Sequence, residues 1–193
     1  MHYRRIVCLI LGLWLGGGII MAWFGARSFS IPDRLVNQSN PGFVLQTKPL
    51  GTATRAVLKY EVAEMNRWLF QSWETLQIGI GAFFFCYLLF GTTEGKITLL
   101  LALLMLILTA VQRIGISPTM GLLGSSLDYL PPETVAAERA KFWLLHGAYI
   151  GIELAKLGLG VIVCASVLSR SRAVDPLNQL NMVGSTKHRH VNW

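Results

Sequence analysis

The stretch FWLLHGAYIGIELAKLGLGVIVCASVL, residues 142–168, contains Glu153 and Lys156 as its only fully charged side chains. A helix rises 1.5 Å per residue, so roughly 20 mostly apolar residues cross the ~30 Å of bilayer hydrocarbon. This stretch is long enough to do so. Three more apolar runs precede it, at about 6–26, 70–91 and 97–116. Together the four runs make up close to half of the 193 residues, so lipid rather than a water-excluding soluble core decides the fold. The expected class is an all-α integral membrane protein: a four-transmembrane-helix bundle with a long outer loop or helix between helices 1 and 2. Residues 1–168 form the membrane domain and 169–193 a polar C-terminal tail.

Composition agrees. The chain is 53% apolar and 14% charged, with a mean hydropathy of +0.50, where an average soluble domain is about 25% charged. The net charge of +7 is spread over loops and tails. It suits attraction to anionic lipid headgroups, and no Lys/Arg stripe interleaved with aromatics points to nucleic acid. Cys8, Cys86 and Cys164 lie in three different apolar runs, which excludes a CxxC metal site or a disulfide framework and reads as packing.

The N-terminus has the charged start of a signal peptide, His2-Tyr3-Arg4-Arg5. Its apolar run of about 21 residues exceeds the 7–15 of a typical signal core, and cleavage after Ala26 would place Phe24 where a small residue is needed. It therefore reads as a retained first helix. Arg4 and Arg5 before that helix, and Arg170 and Arg172 after the fourth, place both termini in the cytoplasm by the positive-inside rule, in a cell inner (plasma) membrane.

Between the runs, Pro32, Pro41 and Pro49 punctuate an irregular segment. Thr52 and Thr54 are suitable N-caps for a helix running from residue 53 through 91. Gly91-Thr92-Thr93-Glu94-Gly95 predicts a tight turn and an antiparallel hairpin. Pro118 is expected to end or kink the third span, and Pro131-Pro132-Glu133 to start the helix that continues to Leu168. The tail reads as lacking structure of its own. Small residues four apart, Gly12 and Gly16 in the first helix and Gly147 and Gly151 in the fourth, are the expected helix-packing positions.

The polar residues within the runs are the anomaly. Glu74 and Gln77, Gln112 and Arg113, and His146 and Tyr149 fall near the outer ends of helices 2, 3 and 4. At 1.5 Å per residue, Glu153 lies about 16 Å below Phe142, near the midplane, with Lys156 a turn further. His146, Tyr149, Glu153, Lys156 and Gly160 are spaced 3, 4, 3 and 4 and so share one helix face. A charge at the bilayer centre costs about 2.5–3.5 kcal/mol on insertion scales, so it pairs or faces a cavity. The expected pairs are Glu153 with Lys156 and Glu74 with Arg113. A proton or solute pathway along Glu74, Arg113, His146 and Glu153 is the alternative, and a pigment or metal ligand at His146 a third. His146 is the single histidine within the runs, so one chain cannot supply bis-histidine haem ligation, and His188 and His190 are too few for zinc.

These residues also carry a resemblance. Phe142 to His146, Tyr149, Glu153-Leu154, Lys156-Leu157 and Gly160 resemble the last helix of a four-span membrane-protein family of unknown function. That family includes the animal transmembrane protein linked to cisplatin resistance. Leu13 to Gly17, Trp73 to Gln77, Pro118, Leu123-Gly124 and Leu127-Asp128 extend the similarity over roughly residues 6–168. The resemblance implies a bundle and supplies no chemistry. No nucleophile–base motif, HExxH or phosphate-cradling glycine loop is present, so no catalytic residue, cofactor or metal is expected. The resulting expectation is a non-catalytic accessory or structural subunit, with the bilayer and other membrane-protein subunits as partners. The alternative is a small transporter or ion-translocating protein.

Overall fold

The computed structural model describes residues 2–38, 40–92, 95–127 and 134–186. The expectations for Thr93, Glu94, Asp128, Pro131-Pro132-Glu133 and the tail beyond 186 fall outside these residues. The described residues are helical throughout, without strands. The elements are α1 (His2–Ser28), α2 (Ile31–Gln38), α3 (Pro41–Thr47), a 3-10 turn (Lys48–Leu50), α4 (Thr52–Gly91), α5 (Lys96–Val111), a π-helical turn (Gln112–Ile116), α6 (Ser117–Leu127) and α7 (Ala136–Thr186). Four stretches are long and apolar enough to cross a membrane: Tyr3–Asn37, Ala53–Gly91, Lys96–Leu127 and Ala136–Ser169.

Several local expectations are corrected. The connection between α1 and α4 is not irregular and not one long helix. It folds into short helical pieces because its prolines stand in first turns, where their missing N–H is not needed. Asn40 caps α3, accepting from Gly42 N at 2.8 Å. The N-cap of α4 is Gly51 rather than a threonine. Its φ of +52° suits a residue without Cβ, and Thr54 Oγ1 instead donates to Thr47 O at 3.2 Å. Of the two outcomes expected at Pro118, the third apolar helix does not end there but is distorted just before it. The Ser117 N–H reaches back five residues to Gln112 O, and this wide turn makes room for a ring that a regular α-helix would reject. Finally, α7 runs to Thr186, so much of the expected unstructured tail is helix. Extending an existing helix costs far less than starting one.

The long helices form a ring. α1 packs on α4, α4 on α5, α5 on α7, and α7 closes against α1. Its interior is divided along the axis. The half nearest the N-terminus is a dry layer of Val7, Ile10, Leu11 and Trp14 from α1, Phe84 and Leu88 from α4, Ala102 and Met105 from α5, and Val163 and Val167 from α7. Trp14 meets Phe84 edge to face, with ring centroids 6.5 Å apart. In this half Cys8 and Cys164, isolated in sequence, are neighbouring free thiols across α1 and α7.

Close approach is made at glycines other than those the four-residue spacing selects. A Cβ on Gly81 would lie 2.5 Å from the Trp14 ring, one on Gly17 2.1 Å from Trp73, one on Gly160 2.6 Å from Leu15, and one on Gly25 2.8 Å from Phe70. A Cβ on Gly12, Gly16, Gly147 or Gly151 would meet nothing within 4 Å. Bulky side chains laid over single glycines bring these helices together, rather than small faces laid on each other. The spacing rule marks the second kind of contact only.

Candidate functional site

The other half of the interior is polar. The 3,4 spacing on α7 sets Tyr149 and Lys156 inward, with His146 and Glu153 half-buried on the same side. Opposite them α4 presents Glu74 and Gln77, both buried. The third component comes from the π turn. Gln112 and Ser117 are five apart and would point well apart on a helix of 3.6 residues per turn, yet the wider turn buries both.

The hydrogen bonds link these helices. Lys156, 2% exposed, donates through Nζ to Gln77 Oε1 and to Glu153 Oε1, each at 2.8 Å. Gln112 Nε2 donates to Tyr149 O at 3.2 Å, joining the π turn to α7. Ser117 Oγ donates to Glu74 Oε1 in a short contact that joins α6 to α4. At Gly18 of α1, Glu153 Oε2 and Gln77 Nε2 come within 3.8 and 3.9 Å of where a Cβ would stand, so the fourth helix meets the network through a residue without a side chain.

The Glu153–Lys156 pair is therefore present, but Glu74 and Arg113 form no ion pair. Arg113 sits on the flank and donates through Nε to Thr75 Oγ1 at 3.2 Å, while Glu74, one residue earlier on α4, faces inward to Ser117. Consecutive helical residues diverge by 100°, which separates Glu74 from Thr75 and Gln112 from Arg113. His146 stacks on Phe142 (centroids 6.1 Å apart, planes at 10°) and meets the edge of Trp143 at 5.6 Å. It stands apart from the network. Among the described residues no group of three His, Cys, Asp or Glu gathers in a metal-holding arrangement.

Sequence reasoning missed Ser117, and it gave Thr75 no role beyond its place in the stretch from Trp73 to Gln77. The signal for Ser117 was its place just before Pro118, because a proline there forces the distortion that turns the serine inward. Within this network the buried atoms Glu74 Oε2, Gln112 Oε1 and the Tyr149 hydroxyl make no close hydrogen bond among the described residues. The Tyr149 hydroxyl and the Glu74 carboxyl group lie beside each other, within hydrogen-bonding reach.

Above this network a cleft of about 370 Å³ lies between α4, α6 and α7. It forms because α1 ends at Ser28, leaving Phe29 as the contribution from that side, and because α6 leans on α7 more than on α4. Ser117 and Tyr149 are in its wall, and Arg67, Gln71 and His146 supply its other polar lining. Comparison with protein-family models, curated proteins and solved structures finds no match to this chain.

Proposed function

We propose that this is a non-catalytic, multi-pass membrane protein that serves as an accessory or structural subunit of a larger membrane complex. The observation that carries the reading is that the polar network occupies only one half of the bundle interior. Lys156 donates to both Gln77 and Glu153, and the polar residues give way to the dry layer of Trp14, Phe84, Leu88 and Met105 rather than continuing along the axis. Such a network braces helices in one arrangement, a recognised use of buried polar groups. The outward-facing Gly12, Gly16, Gly147 and Gly151 support docking on other helices, since lipid supplies no hydrophobic drive and small residues permit close contact. The second reading, a small proton-translocating protein, is favoured by one observation: Glu74, a carboxyl group buried beside the Tyr149 hydroxyl.

Native gel electrophoresis of gently solubilised host membranes tests the assembly. The protein should migrate in a complex well above its 21.4 kDa. Gly16→Leu with Gly147→Leu should shift it toward the free chain without lowering its melting temperature, since neither position meets a neighbour. Removing residues 177–193 should leave the bundle inserted but weaken the complex. Migration as a free chain throughout contradicts the proposal.

In the same proposal the membrane is the plasma membrane and both termini are cytoplasmic, from the arginine placement. In a cysteine-free background, an impermeant thiol reagent should label Ser39→Cys in intact cells and leave Ser185→Cys unlabelled. The reverse pattern inverts the topology.

A further inference from the structure

We propose that the cavity where the turn between α1 and α2 meets α4 binds the headgroup of an anionic phospholipid. Its volume is about 390 Å³, within the range of small-molecule sites. Arg27, at the end of α1, and Arg34, in α2, both line it. Four arginines lie in residues 27–69. Arg55 is paired with Asp33 at 2.6 Å and Arg67 with Glu64 at 2.8 Å, whereas Arg27 and Arg34 have no acidic partner among the described residues. No described acid lines the cavity either, so its two cations have nothing to neutralise them. The turn that carries them is held in shape. Ser28 Oγ donates to Gly25 O at 2.8 Å, Ser30 Oγ donates to Arg27 O at 2.7 Å, and Asn66 Nδ2 of α4 donates to Ser28 Oγ at 2.6 Å. A fixed turn brings both arginines to one cavity before any ligand arrives, which lowers the cost of binding.

The rest of the lining points to a lipid rather than a free anion. Trp23 and Phe24, 57% and 53% exposed, stand about one turn before Arg27 on α1, and Leu69 stands one turn beyond Met65 on α4. Both places lie toward the apolar run of their own helix, so the cavity passes from cation to hydrocarbon in the order a phospholipid does, with the aromatic rings at the interface. Charge selects the head. A phosphodiester spreads one negative charge over two oxygens and has two ester oxygens besides, enough acceptors for two guanidinium forks. One fork occupies both oxygens of a fatty carboxylate and leaves the second arginine unmatched. A choline head brings an ammonium into a cavity that already holds two cations and no carboxylate. A phosphoglycerol head brings hydroxyls instead and keeps the net negative charge.

The test is native mass spectrometry of the full chain released from detergent micelles. It is titrated with dioctanoyl phosphatidylglycerol and, separately, with dioctanoyl phosphatidylcholine, which has the same chains and the same phosphodiester. Phosphatidylglycerol should bind about five- to tenfold more tightly. Arg27→Gln and Arg34→Gln should each weaken its binding about tenfold, the low end for a lost charge-assisted hydrogen bond. Both side chains are exposed, so neither change should lower the melting temperature, and the two single variants give independent readings. Lys48→Gln with Lys59→Gln removes two exposed charges from the same outer segment but outside the cavity, and should change binding by less than about twofold. Glycerol 3-phosphate in about hundredfold excess should displace little of the lipid, because it has no chains for the apolar end. Equal binding of the two lipids, full displacement by glycerol 3-phosphate, or equal losses in the lysine and arginine variants overturns the proposal.

Discussion

Replacing Glu153 by glutamine should destabilise the bundle by about 3 kcal/mol, the lower end of the 3–5 kcal/mol seen when one partner of a buried pair is removed. Glutamine still accepts the hydrogen bond from Lys156. What it removes is the charge that balances an ammonium only 2% exposed. The lower end applies because Glu153 keeps 24% of its side-chain surface and polar interactions inside bilayers are weaker than their burial suggests. Adding Lys156→Met removes the uncompensated charge and should recover most of the loss, since replacing a whole buried pair by apolar groups is often neutral. Thermal unfolding in detergent reads both. A double variant no more stable than the single one would show that Glu153 and Lys156 do not act as a pair.

An effect of similar size is expected in the dry half. Trp14→Ala empties a position that is 1% exposed between Gly81 and Phe84, and should cost about 3 kcal/mol. This again is the low end of the range for large aromatics, because lipid accepts apolar side chains readily and the loss is one of packing contacts. Gly81→Ala should cost about 1–3 kcal/mol through the clash with the same ring, as overpacking does. Gly12→Ala, on a surface with nothing within 4 Å, should be neutral or stabilising by up to about 1 kcal/mol from helix propensity. Equal losses at Gly81 and Gly12 would mean that the helices do not meet as described. The same unfolding series measures all three.

The sequence and the structure agree where the governing signal is local. Apolar length alone marks four helices capable of crossing a membrane, because hydrocarbon thickness is a one-dimensional requirement. The i,i+3 step from Glu153 to Lys156 needs nothing beyond helical geometry, and the pair is there. Partners on different helices were not legible in the same way. Glu74 looked matched to Arg113 by charge, but the π turn before Pro118 rotates Ser117 inward and leaves Arg113 on the flank at Thr75. Glycine roles depend on which face of each helix meets a neighbour. Spacing therefore selected Gly12, Gly16, Gly147 and Gly151, while Gly17, Gly81 and Gly160 receive the large side chains. The cleft could not be read from the chain at all. It arises from the difference in length between α1 and the helices beside it.

A polar half that braces the bundle and ends at the dry layer conducts no protons, whereas a conduit does. Proton flux into proteoliposomes separates the two most directly, with purified protein, an imposed membrane potential and a pH-sensitive dye inside. The expected rate equals that of protein-free vesicles and is unchanged by Glu74→Gln or Glu153→Gln. A flux that depends on the protein and is lost in either variant would contradict the brace.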